Sequence, residues 1–269
     1  VVEHLTADPL SPRDIKYAVL HLQAAAEVLL KARLVREHWS LVFDDPGTAS
    51  EKAFRSGGFK SCTVGDAVTR LRNIVGAAVT DKEYEALSAL GRDRNSLQHY
   101  GLSHNARALE ARAGRVLDFL VHFLDVELLP GLAATDSHAI ELDMVRVRLG
   151  LTKVQTFITQ RMRRLLGELR GQEHRTTLCP SCGHPTFVAE ASQDGGARCL
   201  FCNAAYSARD IVVMAYLDDV EKNGRNIGSC PVCSGIFVVH DTWLATGDRV
   251  SFCFSCARAL PGQRPEGEQ

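Results

Sequence analysis

Eight of the nine cysteines lie after residue 178 and form four C-x-x-C pairs: Cys179/Cys182, Cys199/Cys202, Cys230/Cys233 and Cys253/Cys256. A tight turn carrying two cysteines at this spacing aims both sulfurs at one point. Two such turns supply the four thiolates, each about 2.3 Å from the metal, that a tetrahedral zinc ion takes. The 16 residues between Cys182 and Cys199, and the 19 between Cys233 and Cys253, each suit a two- or three-stranded ribbon. Pro180 and Pro231 follow the first cysteine of a pair, and Gly183 and Gly235 sit just past the second, as turn geometry favours. A redox C-x-x-C is usually single and near a βαβ pattern, which is absent here. Iron–sulfur ligation uses the same thiolates, but the duplicated ribbon spacing favours zinc. The expectation is therefore two structural Zn2+ ions in closed four-sulfur shells, with no open position for a catalytic water. His174, His184 and His240 lie nearby and are not needed as ligands, while the isolated Cys62 is expected to be a small buried residue.

The rest of the composition excludes more than it identifies. Hydrophobic residues at 45% and charged residues at 23% are ordinary for a globular chain, and 269 residues can bury a real core. A formal net charge of -1 gives no global attraction to nucleic acid, so any such affinity must come from a local patch. No stretch reaches the roughly 18 apolar residues of a membrane span. Val1-Val2-Glu3-His4 lacks the basic flank and apolar core of a secretory signal, so a cytoplasmic location is the default expectation and reduced cysteines fit it.

The first half reads as helix. Ser11 can cap a helix starting at Pro12, in which Ile15, Val19, Leu22, Ala26, Leu29 and Leu30 recur at three- and four-residue steps to about Trp39. Glu51 to Gly58 is open between a short helix and a loop. Thr63-Val64-Gly65-Asp66 and Thr80-Asp81-Lys82-Glu83 both read as capping boxes, opening helices to about Ile74 and about Leu90. Gly91 is expected to end or kink the second, with a separate short helix from about Asp93 to Tyr100. A long helix from Ser103 presents Leu109, Ala113, Val116, Leu117, Leu120, Phe123 and Leu124 and stops at Pro130-Gly131. A further long helix is expected from about Ala139 to Arg170. Its residues Val147, Leu151, Val154, Ile158, Met162, Leu165 and Leu169 follow near-heptad steps, and Arg161, Arg163 and Arg164 belong to a basic stripe between them. That pattern suits a solvated face, a dimer seam over 147–169 or an RNA-facing surface. After Gly171 short β-prone runs appear, and Ala208 to Lys222 reads as a helix between the two cysteine groups.

Arg94-Asn95-Ser96-Leu97-Gln98-His99 is the most informative segment outside the ribbons. Asn95 and His99, four apart, share a helical face, whereas a regular helix turns Arg94 away from them. The segment resembles the defining motif of the HEPN family: arginine, a polar residue, a few further positions, then histidine. The helices on either side, across roughly residues 10 to 130, also resemble that family's bundle. The resemblance implies a mainly α, antiparallel N-terminal bundle (1–135), followed by a helical connector with a basic face (136–173). Small β zinc-ribbon modules (174–226, including the following helix, and 227–262) and a disordered tail (263–269) complete the expected organisation.

The resemblance also implies an activity. HEPN domains commonly dimerise so that two motifs face one another, and they cleave RNA without a catalytic metal by attack of a ribose 2′-hydroxyl on the adjacent phosphate. His99 would move the proton, a task that suits an imidazole near neutral pH. Arg94 would hold the phosphate as a planar bidentate donor, and Asn95 would orient the histidine or the phosphate. Tyr100 is a further candidate RNA contact by stacking. Some HEPN toxins carry a tyrosine two positions after the histidine that a partner nucleotidyltransferase modifies. Gly101 occupies that place here, and Tyr100 comes one position early. The expectation is an endoribonuclease of toxin or phage-defence type, acting as a homodimer and held in check by an inhibitor or defence-system partner protein. The other reading is a non-catalytic HEPN-like adaptor that displays zinc ribbons to a protein or nucleic-acid partner.

Overall fold

The computed structural model describes residues 1–99, 106–192, 195–220 and 227–260. The chain divides into two compact units, Val1–Gln160 and Arg161–Gln269. The division falls inside the stretch expected as a connector.

The first unit is helical. α1 (Val2–Leu5) precedes α2 (Pro12–Glu37), which Ser11 and Asp14 open as a reciprocal capping box. α3 (Glu51–Ser56) is capped by Ser50, so the ambiguous segment is a helix closed by Gly57 at φ 70°. α4 (Val64–Arg70) starts on the Thr63/Asp66 capping box and widens into a π-helical turn, Leu71–Val75, that Gly76 ends at φ 75°. Next come α5 (Asp81–His99), α6 (Ala106–Phe123) with its π-helical extension Leu124–Leu128, and α7 (Ala134–Leu151). α2 packs against α5 and α6, which also pack against each other. Ile15, Ala18, Val19, Leu22, Ala26, Leu30 and Leu34 form the buried face of α2 at helical spacing.

Two expectations about these helices are corrected. Gly91 does not end its helix, because α5 runs unbroken from Asp81 to His99. A mid-helix glycine costs about 1 kcal/mol relative to alanine. Leu87, Leu90 and Leu97 on either side of it are all buried. Each is worth roughly 1.5–3 kcal/mol in the core, so burial prevails. The single helix expected from Ala139 to Arg170 is two, α7 and α8 (Gln155–Leu169). At the join, Lys153 N–H donates to Gly150 and Val154 N–H to Leu151, tightening the last turn to i→i−3 bonds. Close packing accompanies the break: a Cβ on Gly150 would lie 2.3 Å from Val2 Cγ1, and one on Gly114 of α6 would lie 2.7 Å from the Thr156 carbonyl carbon. The heptad seam is thereby interrupted, and its Leu151, Val154, Leu165 and Leu169 are buried within the chain.

The second unit holds two four-stranded antiparallel sheets where two- or three-stranded ribbons were expected. β1 (Thr176–Thr177), β2 (Phe187–Ala189), β3 (Ala197–Cys199) and β4 (Ala205–Tyr206) make the first. α9 (Ala208–Val220) follows it. β5 (Ile227–Gly228), β6 (Val238–Trp243), β7 (Arg249–Cys253) and β8 (Arg258–Leu260) make the second. The sheets are copies in register: Phe187 pairs with Cys199 as Val238 pairs with Cys253. They are also joined, since Thr177 bridges Leu244, Leu178 N–H donates to the Trp243 carbonyl at 3.1 Å, and Ala245 N–H donates to that of Thr176 at 2.8 Å. No described helix is long and apolar enough to cross a membrane.

Candidate metal centres and the Arg94–His99 motif

Three of the four C-x-x-C pairs sit on turns built by the same backbone bonds. Cys179 N–H donates to the His184 carbonyl, and Gly183 N–H donates back to that of Cys179. Cys230 with Gly235 and Ser234 repeats this, and Cys199 with Ala204 and Asn203 does so on the other side of the first site. The residue after the second cysteine must turn left-handed. Gly183 does so at φ 73°, and Ser234, Asn203 and Ala257 do so at φ 59°, 63° and 53°. Three non-glycine residues held there show how strongly the turn is imposed.

The turns bring the sulfurs together. Cys179, Cys182, Cys199 and Cys202 form one group and Cys230, Cys233, Cys253 and Cys256 the other, with all ligand atoms of a group within 4.8 Å of one another. The Cys179–Cys202 and Cys182–Cys199 Sγ separations are 3.7 Å, and those of Cys230–Cys256 and Cys233–Cys253 are 3.9 and 3.7 Å. A tetrahedron with metal–sulfur bonds of about 2.3 Å has edges of about 3.8 Å. The residues therefore fit a tetrahedral thiolate metal ion, and all eight cysteines are free of disulfides. Each group can hold a structural metal ion.

The surroundings favour thiolate. Ser181, Cys202 and Val232 each direct a backbone N–H at a ligand sulfur, at 3.4 Å. The buried Thr186 hydroxyl lies 3.2 Å from Cys199 Sγ. Hydrogen bonding with Cys182 brings the Cys179 thiol down to about 7, and that with Cys179 holds Cys199 well below the usual thiol range. The same crowding pushes Cys182 and Cys202 up, Cys179 being the main cause of each. In the second group burial opposes ionisation of Cys230, but the N–H groups of Cys233 and Val232, together with hydrogen bonding to the Cys233 and Cys253 thiols, bring that thiol to about 7. Four sulfurs this close cannot all ionise without a cation, and a dication supplies the missing charge. Outside the groups, Cys62 is buried, and burial raises its thiol pKa.

In the first unit, α5 carries Arg94, Asn95 and His99 on its last turns, with all three side chains exposed. Arg94 Nη1 donates to Asn95 Oδ1 at 2.9 Å, so the guanidinium reaches across to its neighbour although its Cα lies off the Asn95/His99 face. The helix is held from the side by Asp93, buried just before the motif. Its carboxylate accepts Arg112 Nε at 2.5 Å and Nη2 at 3.0 Å, tying α5 to α6. This clamp has no signature in the sequence, because an aspartate and an arginine 19 positions apart carry no local signal. Tyr100, Gly101 and the expected tail 263–269 lie outside the described residues.

The basic stripe is not one surface. Arg161 is buried and its Nη2 donates to the Leu200 carbonyl at 3.0 Å, so it holds the first ribbon rather than facing solvent. Arg148 is buried against Asp125. Arg163 is exposed and Arg164 half-buried. Comparisons with family models, curated proteins and solved structures found no match for the chain.

Proposed function

We propose that the chain is a metal-independent HEPN-type endoribonuclease of the toxin or phage-defence kind, working as a homodimer through its helical bundle, with two structural zinc ions in ribbons that recognise substrate or partner. The observation that carries the reading is the exposed end of α5, where the Arg94 guanidinium is hydrogen-bonded to Asn95 on the face that also bears His99. A phosphate needs a planar donor, and a proton in flight needs an imidazole within reach of it. In the proposed reaction the ribose 2′-oxygen bonds to phosphorus and the bond to the 5′-oxygen breaks. One imidazole takes the 2′-proton and the His99 of a second copy protonates the leaving oxygen. The products are a 2′,3′-cyclic phosphate and a 5′-hydroxyl. Arg94 stabilises the charge that develops on the phosphoryl oxygens.

The test is cleavage of total RNA by the wild type and by His99→Ala and Arg94→Ala, with EDTA present. Cleavage that survives EDTA, leaves cyclic phosphate ends and falls at least about 100-fold in each variant supports the proposal. Equal cleavage by all three proteins removes it. The adaptor reading is favoured by one observation: Val232 and Ile236 on the first turn of the second ribbon are 56% and 66% exposed, an apolar tip suited to a protein contact. Absence of RNA cleavage, together with a stable complex that Ile236→Asp abolishes, would support it.

A further inference from the structure

The helix that bears the motif also walls a cleft. This cleft, of about 420 Å³, is bounded by Gln23 and Glu27 of α2, by Ser61, and by Tyr84, Ser88 and Gly91 of α5. At 100° per residue, Ser88, Gly91, Asn95 and His99 fall within about 80° of one another on α5, and the 1.5 Å rise puts Asn95 about 6 Å and His99 about 12 Å beyond Gly91. The cleft face thus runs directly into the motif. With a stacked rise of about 3.4 Å per nucleotide, the gap is a few nucleotide steps at most.

The lining limits what can enter. Gln23 Oε1 is buried and accepts no hydrogen bond from any described residue. Glu27 stands one turn further along the same face of α2, so the wall offers a second acceptor beside it. The Lys31 ammonium is engaged by Glu27 and by Ser61 Oγ, the latter at 2.7 Å. A wall with a carboxylate and an engaged lysine disfavours phosphate and favours a neutral group rich in N–H donors. Tyr84 offers a ring, and the buried Leu87 offers an apolar floor, which suits a flat heterocycle. Gly91 keeps the space open, since a Cβ there would stop 3.9 Å from Gln23 Oε1 and any longer side chain would enter the cleft.

We infer that this cleft is a base-binding subsite that selects guanine and delivers the attached strand along α5 toward Asn95 and His99. Guanine presents an imino N–H beside an amino group, two donors for the two acceptors, whereas uracil presents two carbonyl oxygens around a single N–H. The role in cleavage rests on the nuclease reading; base binding itself does not. The experiment measures binding of the four ribonucleoside 3′-monophosphates, which differ only in the base, to the full chain by calorimetry or protein-detected NMR. The guanine nucleotide should bind at least about tenfold more tightly than the uracil nucleotide. Gln23→Leu and Gly91→Phe should each erase that preference, and Gln23→Leu keeps the test readable if Gly91→Phe does not fold. Equal binding of all four nucleotides, or a guanine preference unchanged in Gln23→Leu, overturns the inference. Guanine-selective binding without RNA cleavage keeps the subsite and removes the nuclease. Cleavage whose base preference Gln23→Leu leaves unmoved does the reverse.

Discussion

Asp93 is the residue on which the placement of the motif most directly depends, and its contribution can be measured. Its carboxylate is buried and receives both arms of the Arg112 fork, whereas Arg112 keeps 27% of its side chain in water. Removing one partner of a buried pair costs about 3–5 kcal/mol when the other stays stranded. The two halves are stranded unequally. Arg112→Ala leaves a carboxylate under the surface and should cost about 3 kcal/mol, near the lower limit because the pair is partly wet. Asp93→Ala leaves a guanidinium that can swing into solvent and should cost about 2 kcal/mol. The double variant should cost less than the sum, with a coupling of about 1–2 kcal/mol. The chain has two tryptophans, Trp39 in the helical unit and Trp243 in the ribbon unit, so Trp39 fluorescence in a Trp243→Phe background reports the helical unit alone. Urea unfolding of the four proteins in that background gives the cycle. A coupling under about 0.5 kcal/mol, or a larger loss for Asp93→Ala than for Arg112→Ala, would show that the fork does not clamp α5 to α6.

Further outcomes can be checked with the same reporters. Native mass spectrometry should find two metal ions per chain, and a strong chelator should shift Trp243 emission while leaving Trp39 unchanged, since so little apolar material supports the ribbons without metal; an unaltered Trp243 signal after complete metal loss would contradict this. Cys199→Ser should retain the second ion and lose the first. Gly91→Ala should raise the melting temperature, as alanine gains about 0.5–1 kcal/mol in a helix where its Cβ has room. Gly114→Ala should lower it by the equivalent of about 1–3 kcal/mol, because the Thr156 backbone already fills the space. Shifts of the same sign would mean that the close approach of α6 to the start of α8 is wrong.

What could be read from the sequence is what local rules decide. The reciprocal caps at Thr63/Asp66 and Thr80/Glu83 are made within four residues, and both form as read. The cysteine spacing carried the metal groups because each turn is a short backbone motif and only its pairing is long-range. The sequence misleads where tertiary packing outweighs local preference. Gly91 looked like a stop because glycine disfavours helix, and only the buried leucines around it decide otherwise. The break after Leu151 has no proline to announce it, and it coincides with the Val2 side chain lying against Gly150 and the Thr156 backbone against Gly114. Arg161 looked like one more surface cation, and its burial depends on a carbonyl 39 residues away. The cleft at Gln23 has no signature at all, because it joins three segments through side chains that are unremarkable in sequence.

The bridge from Thr177 to Leu244 has a consequence for how the ribbon unit resists association. β1 ends the first sheet, and its outward N–H and C=O groups would be an open template for any passing strand. Residues 243–245 of the second copy take those bonds, so one half of the duplication acts as the other's edge guard. Neither half is then a free-standing module. A chain cut after residue 226 would keep its first set of cysteines and its first sheet but bare β1, and the exposed border would recruit another molecule. Duplication here gives more than a second set of four cysteines: it closes a sheet too small to close itself.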